Sequence, residues 1–212
     1  MLVTTTYLEQ TSPDQLRVAA EPAESLIFAR AEDPSPEFTR FLYTAVGGPW
    51  HWTDKLGFTW NDWYAHVTRD GFETWVAHRR GTPAGYVELM GRPTDEGTEV
   101  EIESFGLLPH AVGRRFGGHL LTRALTEAWR LDDRWPDLPP VRRVWLHTCT
   151  LDSAHARANY ERRGLVAYDT RTHEQEVADP PGPWPDSGAP RPPVAAVHED
   201  QAGTAASTRD HT

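Results

Sequence analysis

Apolar and polar positions alternate along the chain with two different periods. Residues 3–8 and 25–30 carry short apolar runs that predict strands. Residues 72–78 and 84–90 do the same on either side of Arg79-Arg80-Gly81-Thr82-Pro83, which predicts a β-hairpin. Over residues 36–45 the spacing of Phe38, Phe41, Leu42 and Ala45 becomes that of a helix, and the second half of WHWTDKLGFTWNDWYAHV also reads as helical. Residues 99–108 return to alternation, with Val100, Ile102, Ser104 and Gly106 on one face and Glu99, Glu101, Glu103, Phe105 and Leu107 on the other. A Gly-rich turn then leads into a helix with Leu120, Leu121, Ala124, Leu125 and Ala128 on one side. A strand over 143–150, a helix over 152–163 closed by Gly164, and a last strand over 165–177 complete the series. Strands followed by α-β-α-β predict an α/β (α+β) domain: a mixed central β-sheet flanked by helices on both faces.

Composition sets the limits of that domain. The 212 residues allow one domain with a full core, expected over 1–178. Residues 179–212 hold seven prolines and almost no bulky apolar side chains, which predicts a flexible tail. No apolar run approaches the length of a membrane span, and MLVTTTYLEQ lacks the basic and apolar regions of a secretory signal, so a cytoplasmic protein is expected. Cys149 is the single cysteine, so paired-thiol metal or redox motifs are absent, no metal is expected, and Cys149 reads as a small core residue. The net charge of −10 disfavours nucleic acid and anionic lipid as partners and draws cations such as amines. Lys55 is the one lysine among 21 basic residues.

The candidate chemistry starts at residues 107–121, LLPHAVGRRFGGHLL. A Gly-rich turn between a strand and a helix exposes the unpaired N–H groups of the helix N-terminus, where the helix dipole favours negative charge. That is an anion site suited to a diphosphate. Neither a Walker loop nor a G-x-G-x-x-G fingerprint is matched, and a plain helix-capping turn stays open on the glycines alone.

The context of the turn resembles the acetyl-CoA signature of the GNAT superfamily of N-acetyltransferases. There a strand ends in an apolar-x-Pro step, here Leu107-Leu108-Pro109, followed by Gln/Arg-x-x-Gly-x-Gly/Ala and a helix. The six corresponding residues are Val112, Gly113, Arg114, Arg115, Phe116 and Gly117, with Val112 in place of Gln/Arg and Arg115 in place of Gly. Residues 153–165, SAHARANYERRGL, resemble the later family segment N-x-x-A-x-x-x-Y-x-x-x-G-F, with Ala156, Tyr160 and Gly164 matching.

The resemblance implies a GNAT fold and an enzyme that moves an acetyl group from acetyl-CoA to a primary amine of a small molecule or peptide, as a possible homodimer. It implies CoA binding by Leu107, Leu108, Val112, Gly113, Arg114, Arg115, Phe116, Gly117 and Gly118, with Ser153 and Asn159 at the pantetheine arm. It implies Tyr160 as the acid beside the sulfur and a backbone N–H of Leu107 or Leu108 for the oxyanion. Glu101 or Glu103 is the implied base, two neighbouring carboxylates expected to raise one another's pKa; a solvated strand face and His147 as base stay open. Trp50, Trp52, Trp60 and Trp63, with His147, are expected to cover the acceptor, a cation-binding aromatic wall; ordinary core packing is the other reading for each tryptophan. Two further functions stay open, an acyl-CoA-binding domain without catalysis and an interaction module using the Pro-rich tail.

Overall fold

The structure is a computed structural model and describes residues 1–177, so the expected tail over 179–212 lies outside the described residues. In chain order the elements are β1 (Leu2–Gln10), β2 (Ile27–Arg30), α1 (Pro36–Gly47), α2 (Trp60–Val67), β3 (Phe72–Arg79), β4 (Thr82–Thr94), β5 (Gly97–Leu107), α3 (Phe116–Trp129), β6 (Val141–Cys149), α4 (Ala156–Arg162) and β7 (Val166–Glu174). Local chemistry sets their limits. Ser35 caps α1 by accepting from the Phe38 N–H at 3.2 Å, with Pro36 in the first turn. Thr59 and Asp62 form a reciprocal capping box on α2. The β3–β4 hairpin turns on Arg80 and Gly81, both at positive φ as a two-residue turn demands. The helix expected from residue 152 begins only at Ala156, because the Asp152 carboxylate folds back onto the Thr148 hydroxyl (2.6 Å) and the Cys149 N–H (3.0 Å).

All seven strands form one sheet in the order β2-β3-β4-β5-β6-β1-β7. It is mixed: β5 and β6 run parallel and every other pair antiparallel. The N-terminal strand therefore does not lie beside β2. It inserts between β6 and β7, and tertiary pairing alone decides that placement. On one face Leu42 and Val46 of α1 pack on Val76 and Tyr86, and Val67 of α2 packs on Phe72 and Met90. On the other face Leu121, Leu125 and Ala128 of α3, with Tyr160 of α4, cover Trp75, Val87, Leu89, Val100, Ile102 and Leu146. Helices thus cover both faces, as the pattern predicts.

The simple alternation expected for residues 99–108 is corrected by a β-bulge. Leu89 pairs with Ile102 but Glu88 with Ser104, leaving Glu103 as an extra residue in β5. A bulge reverses the facing of the residues beyond it. Val100 and Ile102 join the α3-side core, while Ser104 bonds Glu88 and Gly106 abuts Val46 of α1 on the opposite face. Phe105 turns to the α3 side and meets Tyr160 edge-on at 6.0 Å.

Candidate active site

The bulge and the parallel pair together open a cleft. Pairing of β5 with β6 runs only from Thr98–Val141 to Glu101–Trp145. Beyond it the strands diverge, and a cavity of about 1230 Å³ lies between Glu101–Leu107 on one side and Leu146–Cys149 on the other, roofed by the 50–58 loop.

One end is the N-terminus of α3. Gly113 sits at φ +84° and Arg115 at φ +63°, and no side chain caps the helix. The first-turn N–H groups therefore lack both intrahelical and side-chain partners, the condition for an anion site. Val112, Gly113, Arg115, Phe116 and Gly117 line the cleft. Leu108, Arg114 and Gly118 are not in its wall. Leu108 is buried against α1 and gives its N–H to Ala84 at 2.9 Å. Arg114 reaches away to Glu24 (3.2 Å) and the His110 carbonyl. Gly118 faces Arg163, although its N–H remains in the first turn of α3. Donors alternate along an antiparallel strand, so the Leu107 N–H points to the open β6 side.

The middle of the cleft is walled by Tyr160 and Cys149, with Ser153 and Asn159 nearby. Asn159 ties α4 to α3 by donating from Nδ2 to the Gly117 carbonyl at 3.3 Å. Ser153 precedes α4 and accepts from the His155 N–H. Tyr160 is 7% exposed, and burial pushes its hydroxyl well above the usual tyrosine range. Cys149 is half-buried in the cleft wall rather than packed in the core; burial pushes its thiol up, which leaves it unreactive at neutral pH.

The far end holds the charged β5 face. Glu103 is gripped by Arg69 (2.7 and 3.1 Å) and touched by Arg92 (2.7 Å), which also binds Glu101 at 2.7 Å. Burial acts to raise the Glu103 carboxyl, but Arg69, helped by Lys55 and His66, outweighs it and holds it below the usual range. For Glu103 this corrects the expected upward shift, and Arg92 bridges the two carboxylates. His147 stands half-exposed in the cleft with Nδ1 3.9 Å from Glu101. Trp50 and Trp52 line the cleft, whereas Trp60 and Trp63 do not. Trp63 is 1% exposed in the core between Tyr43 and Phe58, and Trp60 lies on the outer surface, stacked on Tyr64 and bonded to Glu37. Trp60 opens α2 at its exposed end, one turn before the buried Trp63.

Sequence reasoning missed Glu88, the buried carboxylate of β4. Ser104 donates to it at 2.6 Å, Lys55 lies at 3.4 Å and His66 at 3.6 Å. Burial acts to raise its carboxyl, but His66, Lys55 and Ser104 together hold it down to about 2. Among the described residues, His66, Glu88 and Glu103 form the one group close enough to share a cation, and the Lys55 ammonium lies against two of them. The signal was a charged residue inside a β4 run otherwise apolar, which reads only as an interruption until β5 is beside it.

Known proteins share this architecture. The model of the acetyltransferase (GNAT) family matches residues 33–165. No curated protein matches the chain in sequence. Among solved structures, a GCN5-related N-acetyltransferase from Kribbella flavida is 19% identical with a TM-score of 0.52, over 80% of this chain and 56% of that one. A GCN5-related N-acetyltransferase from Sphaerobacter thermophilus is 15% identical with a TM-score of 0.55, over 80% of this chain and 50% of that one. An aminoglycoside acetyltransferase from an uncultured soil metagenomic sample, solved with trehalose, is 12% identical with a TM-score of 0.53, over 72% of this chain and 96% of that one. At such identities the likeness is one of fold, and the chain spans half to three fifths of the length of the first two structures. With the family model covering more than half of its residues, the chain belongs to the GNAT acetyltransferase family.

Proposed function

We propose that the protein transfers the acetyl group of acetyl-CoA to a primary amine of a small molecule or peptide, by direct attack in a ternary complex. The observation that carries this reading is the splay of β5 from β6, with the uncapped α3 N-terminus at one end and Tyr160 in the wall. The splay leaves room for an extended thioester where a continuous sheet would have closed. The α3 N–H groups and Arg115 suit its diphosphate, and Asn159 and Ser153 suit its pantetheine arm.

Within that arrangement the tasks divide by position. The Leu107 N–H meets the oxyanion that forms as the amine attacks. Tyr160 stays protonated far above neutral pH and gives its proton to the departing thiolate. His147, held beside Glu101, takes the proton of the incoming amine. Glu103 is too firmly held by Arg69 to serve as the base, and its part is to fix the cleft wall. Trp50 and Trp52 border the acceptor.

Calorimetric titration with CoA, run beside release of free thiol from acetyl-CoA across a panel of amines, tests the reading. Binding with turnover on at least one amine is expected. Binding without turnover across a broad panel supports an acyl-CoA-binding domain instead, and no binding at millimolar CoA overturns the proposal.

A further inference from the structure

Across the sheet, arginines lie against carboxylates: Arg30 and Arg134 on Glu73, Arg69 on Glu103, Arg143 on Glu9 and Glu99. Arg162 and Arg163, at the end of α4, break that pattern. Neither has a carboxylate partner among the described residues, in a chain of net charge −10, and the adjoining Glu161 pairs with Arg157 instead. Arg162 lines the cleft and uses its Nε on the Ala158 carbonyl of its own helix at 2.9 Å, which leaves the rest of its fork unengaged among the described residues. Arg163 is half-buried, and its Nε is shielded from water without a hydrogen-bond partner among the described residues. Burial, and then the charge of Arg162, push its pKa below the usual arginine value.

The place of Arg163 adds to that cost. Its Nη1 lies 3.1 Å from where a Cβ on Gly118 would stand, so the guanidinium rests on the first turn of α3. That turn is the positive end of a helix dipole, which repels a cation. The backbone beneath the side chain is fixed. The Arg163 carbonyl accepts from Gln10 Nε2 (2.9 Å) and from the Arg17 N–H (3.1 Å), and its own N–H bonds the Tyr160 carbonyl at 3.0 Å. Desolvation, a like charge and the dipole thus all act against this guanidinium, and one bound anion would offset all three.

We propose that Arg163, with Arg162, binds the 3′-phosphate of CoA. The inference rests on the acetyl-transfer reading above and adds the residues that recognise the nucleotide end of the donor. In that reading the thioester runs along the cleft toward Tyr160 and the α3 N–H groups take the diphosphate. The nucleotide then has to continue past the α3 N-terminus and out of the cleft. Arg163 lies on that outer flank, since neither it nor Gly118 is in the cleft wall, while Arg162 stands in the wall beside it. The 3′-phosphate is one ribose beyond the diphosphate. It is a monoester that carries nearly two negative charges at neutral pH, and planar guanidinium forks match its oxygens in pairs.

The test is calorimetric titration of the full chain with CoA and with 3′-dephospho-CoA, which differ by that phosphate alone. The parent protein is expected to prefer CoA roughly tenfold or more. Arg163→Gln removes most of the preference by weakening CoA while leaving 3′-dephospho-CoA binding as in the parent. Arg162→Gln narrows it in the same way, and at this exposed position it carries the test alone if Arg163→Gln does not fold. Equal binding of the two ligands by the parent overturns this inference and leaves the acetyl-transfer reading intact. Equal weakening of both ligands in the variants assigns the arginines to the diphosphate or to the fold, and overturns it too. Binding of neither ligand at millimolar concentration removes the acetyl-transfer reading itself, and this inference with it.

Discussion

Arg115 stands where the family turn carries glycine, and its φ of +63° is the reason glycine fits there. A side chain in that region costs on the order of 1 kcal/mol or more. Arg115→Gly is therefore expected to raise unfolding stability by about 1 kcal/mol, read from the urea midpoint. The same change removes a cation from the anion site, so CoA affinity should fall in the calorimeter. A rise in both would place the Arg115 charge outside the binding energetics. Tyr160 is tested differently. It packs in the core cluster and lines the cleft, and Phe keeps the ring, so Tyr160→Phe should leave stability and CoA affinity nearly unchanged while lowering turnover by about 10²-fold. An unchanged rate would remove the tyrosine from the mechanism. Both residues were legible in the sequence as motif positions. The left-handed backbone at Arg115 was not, since φ is a property of the folded turn.

Among the elements, β5 decides most. Its bulge at Glu103 turns Ser104 and Gly106 toward α1 and Phe105 toward Tyr160, so one extra residue aims both walls of the cleft. A Cβ on Gly106 would overlap the Val46 side chain of α1. Gly106→Ala is thus expected to cost roughly 1–3 kcal/mol by overpacking and to lower the melting temperature, with turnover disturbed because the same backbone carries the Leu107 N–H. A variant as stable as the parent would mean that α1 yields freely at this contact. Alternation in the sequence located β5 and its ends to within two residues. It could not show the bulge, because a bulge is defined by the partner strand: residues 99–108 alternate without a break, and only the Glu88–Ser104 pairing reveals the slip.

At the scale of the whole molecule, buried carboxylates couple folding to pH. The Glu88 carboxyl drops from 4.5 to about 2 on folding, so its contribution is complete above about pH 4.5 and is lost as pH falls through about 2. Glu73, clamped by Arg134 and by Trp75, and Glu103, clamped by Arg69, shift in the same direction. Glu88→Gln should cost roughly 3 kcal/mol at neutral pH and flatten, without abolishing, the acid limb of a stability-against-pH curve. An unchanged limb would assign the acid sensitivity to the other two. The domain limit is a proposal of the same scale. Met1 and Gln175 exchange backbone bonds at the β1–β7 end of the sheet, so a chain ending at residue 178 should melt within a few degrees of the full chain. A large fall would give residues 179–212 a structural part.

Patterns along the chain were enough for the elements, the mixed sheet with helices on both faces, and the place of the Gly-rich turn before α3, because each depends on periodicity or on neighbours a few residues apart. Tertiary structure alone decided that β1 inserts between β6 and β7, that arginines neutralise Glu101 and Glu103, that Trp60 and Trp63 leave the cleft, and that Lys55, His66 and Glu88 meet. Those facts join residues tens of positions apart across strands and helices. No local pattern encodes such distances; the packing that excludes water from the core sets them.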